Sequence, residues 1–180
     1  MKIDEHLTED QRPAQWLSGL GEQSTRQAQN ILAILGTSRS DGNTAKLVNG
    51  VISHLNNASL VDLQHFTIAP YNYDNLYHDD DDFLSLAYAM TKAQAIIFAS
   101  PVYWYSMSAP MKTLFDRLTD LTRIHKNMGK ALSGKSMFVI ATGGSPQAPT
   151  SFAAPFAQTA SYFNMHWGCL LYTSPSPRDS

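Results

Sequence analysis

The sequence has a single cysteine, few charged residues and no long hydrophobic run. Cys169 cannot form an internal disulfide by itself, which is typical of a reducing compartment. Charged residues make up 16% of the 180, with 13 Lys plus Arg against 15 Asp plus Glu and no basic stripe that could follow a phosphate backbone. No apolar run approaches the roughly 20 residues that cross a bilayer, and the N-terminus lacks the apolar core of a signal peptide. We therefore expect a soluble, cytoplasmic protein that binds neither nucleic acid nor membranes.

The two ends of the sequence differ in character from its middle. Residues 1–29 are polar, with one apolar cluster around Trp16, and we treat them as an N-terminal extension. Residues 169–180 lack the periodicity of the preceding chain and resemble the in-frame translation of a transposon adapter used to prepare sequencing libraries. We therefore predict a globular domain over 30–168 and a non-native tail over 169–180. A natural Pro-rich tail is the alternative, and no redox or metal role is assigned to Cys169.

Short apolar runs alternate with helical patterns through the middle of the chain. Continuous apolar runs predict buried strands at 31–35, 95–99 and 137–141. A shorter apolar stretch predicts one more strand at 60–63. Apolar residues at helical spacing and capping residues predict helices at 48–55, 83–93, 108–121 and 152–163. This alternation favours a doubly wound parallel sheet, in which ligands bind beyond the carboxyl ends of the strands.

Three loops follow predicted strands and hold the candidate site residues. The first, 36–44, is rich in glycine and hydroxyl groups and leads into a helix, so its N–H groups and Arg39 predict a phosphate site. The second, 100–108, has three consecutive aromatics that cannot all face the core and that suit a planar ligand. The third, 142–145, has two glycines that allow backbone donors close to a ligand. The alternatives are a helix-capping turn for the first loop and aromatic packing, under a helix or in a subunit interface, for the second.

Other phosphate and metal sites lack support in the sequence. Five residues separate Gly36 from Gly42, where a Walker A loop has four, and no G-x-G-x-x-G fingerprint is present. Four adjacent carboxylates, Asp79–Asp82, suit the N-terminus of a helix; the alternative, a metal site, has no ligand-spaced partner. The six histidines are scattered without metal-ligand spacing. We predict no metal site.

Two segments resemble a known family. GTSRSDGNTAKLV resembles the G-S-x-R-x-x-G-N-T segment of NAD(P)H-dependent FMN reductases of the flavodoxin-like superfamily. SPVYWYSMSAPMKTLFDR resembles their second flavin loop and the following helix, and the resemblance covers roughly residues 31–168. It implies an α/β fold, a flavodoxin-like three-layer doubly wound parallel sheet in strand order 2-1-3-4-5. Because the native sequence is expected to stop near Gly168, we expect a truncated fifth strand, with residues 170–173 filling part of the vacant edge.

Carried over by position, the resemblance also implies an FMN site. The FMN phosphate would be held by Thr37, Ser38, Arg39, Gly42, Asn43 and Thr44. The isoalloxazine ring would lie beside Pro101, Val102, Tyr103, Trp104, Tyr105 and Ser106, and its edge would contact Thr142, Gly143 and Gly144.

The implied activity is hydride transfer from NADPH or NADH to FMN and onward to a quinone-like or other small-molecule acceptor. Because the cofactor supplies the chemistry, no catalytic side chain is assigned. The alternatives are a flavodoxin-type FMN electron carrier without nicotinamide turnover and a flavin-free interaction domain. The resemblance also implies a homo-oligomer.

Overall fold

The computed structural model describes residues 30–174, and in this range the chain forms five parallel strands between two layers of helices. The strands are β1 (Ile31–Leu35), β2 (Ala58–Asp62), β3 (Ala95–Pro101), β4 (Ser136–Thr142) and β5 (His166–Thr173). The helices are α1 (Asn43–Ile52), α2 (Phe83–Lys92), α3 (Ala109–Arg117), α4 (Asp120–Arg123), α5 (Lys126–Lys130) and α6 (Thr150–Tyr162), with a 3-10 turn at Leu63–His65. The strand order β2-β1-β3-β4-β5 confirms the predicted fold. The predicted extension, residues 1–29, and the last part of the tail, 175–180, lie outside the described residues.

Apolar side chains cover both faces of the sheet. On one face Ile34 and Phe98 pack with the buried residues of α2, α3 and α6. On the other face Leu35 and Ile97 pack against Val48 of α1. Successive residues of a strand point to opposite faces, so strands covered by helices on both sides appear as the continuous apolar runs of the sequence.

Several boundaries differ from the predicted ones. The first helix ends at Ile52, so Leu55 lies beyond it while still packing against the cluster under α1. The third and fourth strands run further than their apolar cores and end at Pro101 and Thr142. Pro101 and Thr142 are therefore strand residues, whose positions are fixed by the sheet. Ser108 caps α3 as predicted, since its hydroxyl accepts the N–H of Met111 at 3.4 Å.

The fifth strand does not stop near Gly168. It continues to Thr173 and pairs with β4 on both sides of an irregularity between Met137 and Val139. This corrects the expectation of a truncated strand, whereas the expectation that residues 170–173 fill the edge is confirmed, since they pair with residues 139–142 of β4. Residues 169–173, assigned to the tail, supply more than half of β5. They can do so because the edge of β4 offers backbone donors and acceptors to any short segment of suitable β propensity. Leu170 and Tyr172 also pack against the core.

A buried ionic cluster fixes the long connection between β2 and α2. Arg117 is 1% exposed, and its guanidinium lies 2.8 Å from the Asp120 carboxylate and 2.7 Å from that of Asp81. Asp81 also accepts the N–H of Phe83 at 3.0 Å, and Asp82 accepts that of Thr67 at 2.7 Å. Two members of the acidic run are therefore engaged in holding the connection. Among residues 30–174 no cluster of three or more potential metal-ligating side chains occurs, and no helix there could span a bilayer.

Candidate functional site

The three predicted loops meet where β1, β3 and β4 end side by side. Bounded by the observed strands and helices, the first loop spans 36–42, the second loop 102–108 and the third loop 143–149. Ser108 donates its hydroxyl proton to the carbonyl of Gly36 at 2.5 Å, which ties the second loop to the first. The N–H of Val102 donates to the carbonyl of Thr142 at 2.8 Å, which ties the second loop to the end of β4. The hydroxyls of Thr44 and Thr142 lie 2.7 Å apart and join α1 to that same point. The loops therefore form one connected edge of the sheet.

The first loop begins in tight contact with α3. A Cβ atom on Gly36 would lie 2.9 Å from the Cβ of Met111, so only glycine fits at this packing distance. Thr37 is 4% exposed; its hydroxyl donates to the carbonyl of Arg39 at 2.6 Å and accepts the Arg39 N–H at 3.3 Å. This hydroxyl thus shapes the turn, and its proton is not free to donate to a phosphate.

The outer part of the first loop is exposed, and Gln64 in the 3-10 turn after β2 supports it. Arg39 pairs through Nε with Asp41 at 3.1 Å, and this hydrogen bond and charge lower the pKa of the Asp41 carboxyl. Ser40 donates to the side chain of Gln64 at 2.8 Å, and the amide of Gln64 donates to the carbonyl of Thr37 at 3.3 Å. Sequence reasoning missed Gln64; its only signal was its position just after β2. Ser38 is exposed.

The N-terminus of α1 presents unpaired donors. Gly42, the N-cap, makes no side-chain capping bond, and the first turn has no acidic residue. Within residues 30–174 no acceptor is bonded to the backbone N–H groups of Asn43, Thr44 and Ala45, although Thr44 and Ala45 are buried. Such a set of N–H groups at the positive end of a helix is complementary to an anion.

The second loop is a two-residue hairpin with aromatic side chains at its tip. Tyr103 and Ser106 exchange two backbone hydrogen bonds of 2.9 and 3.0 Å. Between them, Trp104 has φ 48° and Tyr105 has φ 68°, in the left-handed region that favours glycine and asparagine. Trp104 is 90% and Tyr105 67% exposed, and Tyr103 is also exposed, so none of the three is buried under a helix of the described chain.

A cavity of about 200 Å³ opens between the second and third loops. Its lining combines aromatic side chains with glycines: Val102, Trp104, Tyr105, Gly143, Gly144, Ser145, Pro149 and Tyr172. Pro101 lies buried at the end of β3 and Thr142 faces α1, so neither is among these lining residues.

The cavity has one wall that the sequence did not predict. Tyr172 of β5 donates its hydroxyl proton to the carbonyl of Ser145 at 2.5 Å, which fixes the third loop. A Cβ on Gly143 would lie 2.8 Å from this hydroxyl oxygen, so any larger residue here would have to displace the Tyr172 side chain. Residues 170–173 were expected at the edge of the sheet, but nothing in the sequence indicated that the Tyr172 side chain would reach the third loop.

Sequence comparison adds independent findings. A profile of the NADPH-dependent FMN reductase family matches residues 29–167. YwqN of Bacillus subtilis, whose name places it among NAD(P)H-dependent FMN-containing oxidoreductases, is 31% identical over 123 residues, which cover 63% of this chain and 66% of YwqN. An iron-sulfur flavoprotein of Archaeoglobus fulgidus is 30% identical over 128 residues, 64% of this chain and 56% of that protein. In both cases the chain spans less than two thirds of the relative's length.

Solved structures share the fold. The Trp repressor binding protein from Bacillus subtilis superimposes with a TM-score of 0.66 at 23% identity, covering 82% of this chain and 85% of that one. The family profile extends over β1 to the beginning of β5 and includes all three loops. The chain therefore belongs to the NADPH-dependent FMN reductase family.

Proposed function

We propose that the chain binds FMN at the three loops and acts as an NAD(P)H-dependent oxidoreductase that passes electrons to a small-molecule acceptor. The observation that carries this proposal is the connected edge itself. Through the Thr44–Thr142 contact, unpaired donors at the start of α1 are joined to a cavity with aromatic walls. Family membership supports the same function.

The residues present fit the two chemically different ends of FMN. The N–H groups of Asn43, Thr44 and Ala45 can receive phosphate oxygens, and the Nη groups of Arg39 have no partner within residues 30–174. The cavity offers Trp104 and Tyr105 for a flat ring, with Gly143 and Gly144 leaving backbone groups accessible. A polar anchor beside an aromatic cavity matches a phosphorylated, planar cofactor.

When bound, FMN supplies the two-electron redox chemistry. The chain's own residues would bind the FMN and orient its ring. We propose that Ser38, Arg39, Gly42, Asn43 and Thr44 hold the phosphate, that Thr37 shapes their turn, and that Gln64 supports it. Pro101, Val102 and Ser106 fix the second loop, so that its aromatic tip shields one side of the cavity from water. Gly143 and Gly144 would face the ring edge, and no side chain is assigned a proton-transfer role.

The visible absorption spectrum tests this proposal. The purified chain is supplied with FMN, freed of unbound flavin and mixed anaerobically with NADPH or NADH. Bleaching of the bound flavin by either nucleotide is the expected result, and its rate with each shows which one is used. Bleaching by dithionite alone would show an electron carrier, and failure to retain FMN would contradict the proposal. Quinone, nitroaromatic and azo acceptors are then compared for reoxidation.

We also propose a homo-oligomer. The exposed aromatic hairpin supports it, because Tyr103, Trp104 and Tyr105 form an apolar tip that a second subunit could cover. Light scattering of the full chain should give a mass above that of one copy. The variant Trp104→Ser is expected to dissociate more readily, and a monomeric wild type would contradict this part of the proposal.

A further inference from the structure

Two buried hydroxyls join the start of α1 to the end of β4. The Oγ1 atoms of Thr44 and Thr142 lie 2.7 Å apart, although the residues are 98 positions apart in the chain, and the two residues are 3% and 7% exposed. Side chains alternate along β4: Phe138 and Ile140 pack on the α1 side, so Thr142 also faces α1. The Thr142 side chain therefore points away from the cavity, whereas the resemblance implies that it contacts the edge of the ring.

The pair has one proton too many for its own hydrogen bond. Two hydroxyls have two protons, and the bond between them uses one. Among residues 30–174 neither hydroxyl has a further partner. Because a buried donor without an acceptor is unfavourable, the surplus proton indicates an acceptor from outside this part of the chain. The unpaired N–H groups of Asn43, Thr44 and Ala45 lie on the same helix turn, so that acceptor is expected to be an anion.

We propose that Thr142 is a positioning residue for the FMN phosphate. Thr142 donates to the oxygen of Thr44, which orients the Thr44 proton toward a phosphate oxygen. Thr142 thus acts through Thr44 and makes no contact with the ring. The inference rests on the FMN binding proposed above and adds to it a defined path from β4 to the phosphate.

Comparison of two flavins tests this inference. FMN and riboflavin have the same ring, but only FMN has a phosphate, and the affinity of the full chain for each is measured from the quenching of flavin fluorescence. Thr142→Val and Thr44→Val should each weaken FMN binding by about tenfold and leave riboflavin binding unchanged. The double variant should be no weaker than Thr44→Val, because both changes remove one path.

Matched variants keep the result specific. Thr142→Ser retains the hydroxyl and should restore FMN affinity, whereas Thr159→Val on α6 makes the same change outside the site and should alter neither affinity. Equal losses for FMN and riboflavin in Thr142→Val would overturn the inference in favour of a ring contact or a folding defect, and additive losses in the double variant would also overturn it. A wild type that binds neither flavin would instead contradict FMN binding itself.

Discussion

At the scale of single residues, buried hydroxyls connect the loops of the candidate site. Ser108 is 0% exposed; it bonds to the carbonyl of Gly36 and caps α3. Ser108→Ala should lower the free energy of unfolding by about 1–2 kcal/mol, since a cap and a buried acceptor lose their partner. It should also weaken FMN binding, because the first and second loops are no longer tied. Urea unfolding and flavin titration measure both effects. Ser161→Ala on the exposed part of α6 is the control, and equal stability of the two variants would contradict the prediction.

The guanidinium of Arg117 is the centre of the buried ionic cluster, and a change there should be severe. Arg117→Met leaves the carboxylates of Asp81 and Asp120 without their cation and should reduce the free energy of unfolding by about 3–5 kcal/mol. Lys112→Met is the matched control on α3, because its exposed pair with Asp116 contributes only about 0–1 kcal/mol. Thermal unfolding of both variants checks the contrast. Similar losses in the two would show that the buried pairs add nothing.

At the scale of elements, the acidic N-terminus of α2 gives stability a pH dependence. Burial raises the pKa of Asp82, the N–H of Thr67 opposes this shift, and the charges of Asp81 and Asp80 add to it. A carboxyl whose pKa is raised on folding binds its proton more tightly in the folded state. The resulting stability is therefore full below the ordinary pKa of 3.8 and is lost as pH rises through the folded value.

Asp82→Asn should remove this dependence while keeping an oxygen for the Thr67 N–H. At pH 7 the variant is expected to be more stable than the wild type, and below pH about 4 the difference should vanish because the wild-type carboxyl is then protonated. Chemical unfolding at both pH values is the measurement. A variant that is less stable at pH 7 would show that charge on the α2 dipole outweighs burial.

Some elements of the fold are predictable from a short stretch of sequence, and others are not. The apolar runs of β1, β3 and β4 and the Ser108 cap of α3 are visible in the sequence, because burial on both faces and capping each leave a short-range pattern. The hairpin at Trp104 and Tyr105 could not be predicted from the sequence, because its φ angles are those of an Asn-Gly turn whereas its residues are bulky aromatics. The orientation of Thr142 toward α1 also depends on where β4 ends, which its apolar core alone did not show.

At the scale of the whole molecule, the site depends on the sheet edge that β5 completes. The loops from β1, β3 and β4 were predictable from strand order, since their carboxyl ends must meet. The contribution of Tyr172 to the cavity was not predictable, because the β propensity that favours residues 170–173 at the sheet edge does not show which loop a side chain there will contact. Gly143 and Ser145 both contact this strand through backbone groups, so β5 and the cavity form one unit.

Shortening the chain to residues 1–168 should therefore affect folding and site together. It removes residues 169–173 of β5, their bonds to β4 and the Tyr172 wall. We expect faster proteolysis and a weaker affinity for FMN than in the 180-residue chain. The variant Tyr172→Phe separates the two effects, because it keeps the strand and loses only the bond to Ser145. Equal protease resistance of the long and short chains would show that the added strand residues contribute no stability.

The aromatic hairpin lowers the stability of the fold and at the same time supplies two walls of the cavity. An Asn-Gly pair would adopt the φ angles of Trp104 and Tyr105 without strain, whereas bulky residues in this region cost of order 1–3 kcal/mol each. Trp104→Asn combined with Tyr105→Gly should accordingly raise the melting temperature while removing two walls of the cavity. A lower melting temperature would show that packing of the two aromatic rings stabilises the fold by more than the strained φ angles destabilise it. The backbone strain therefore lies at the same two residues that line the cavity, and a turn that relieved this strain would remove both aromatic walls.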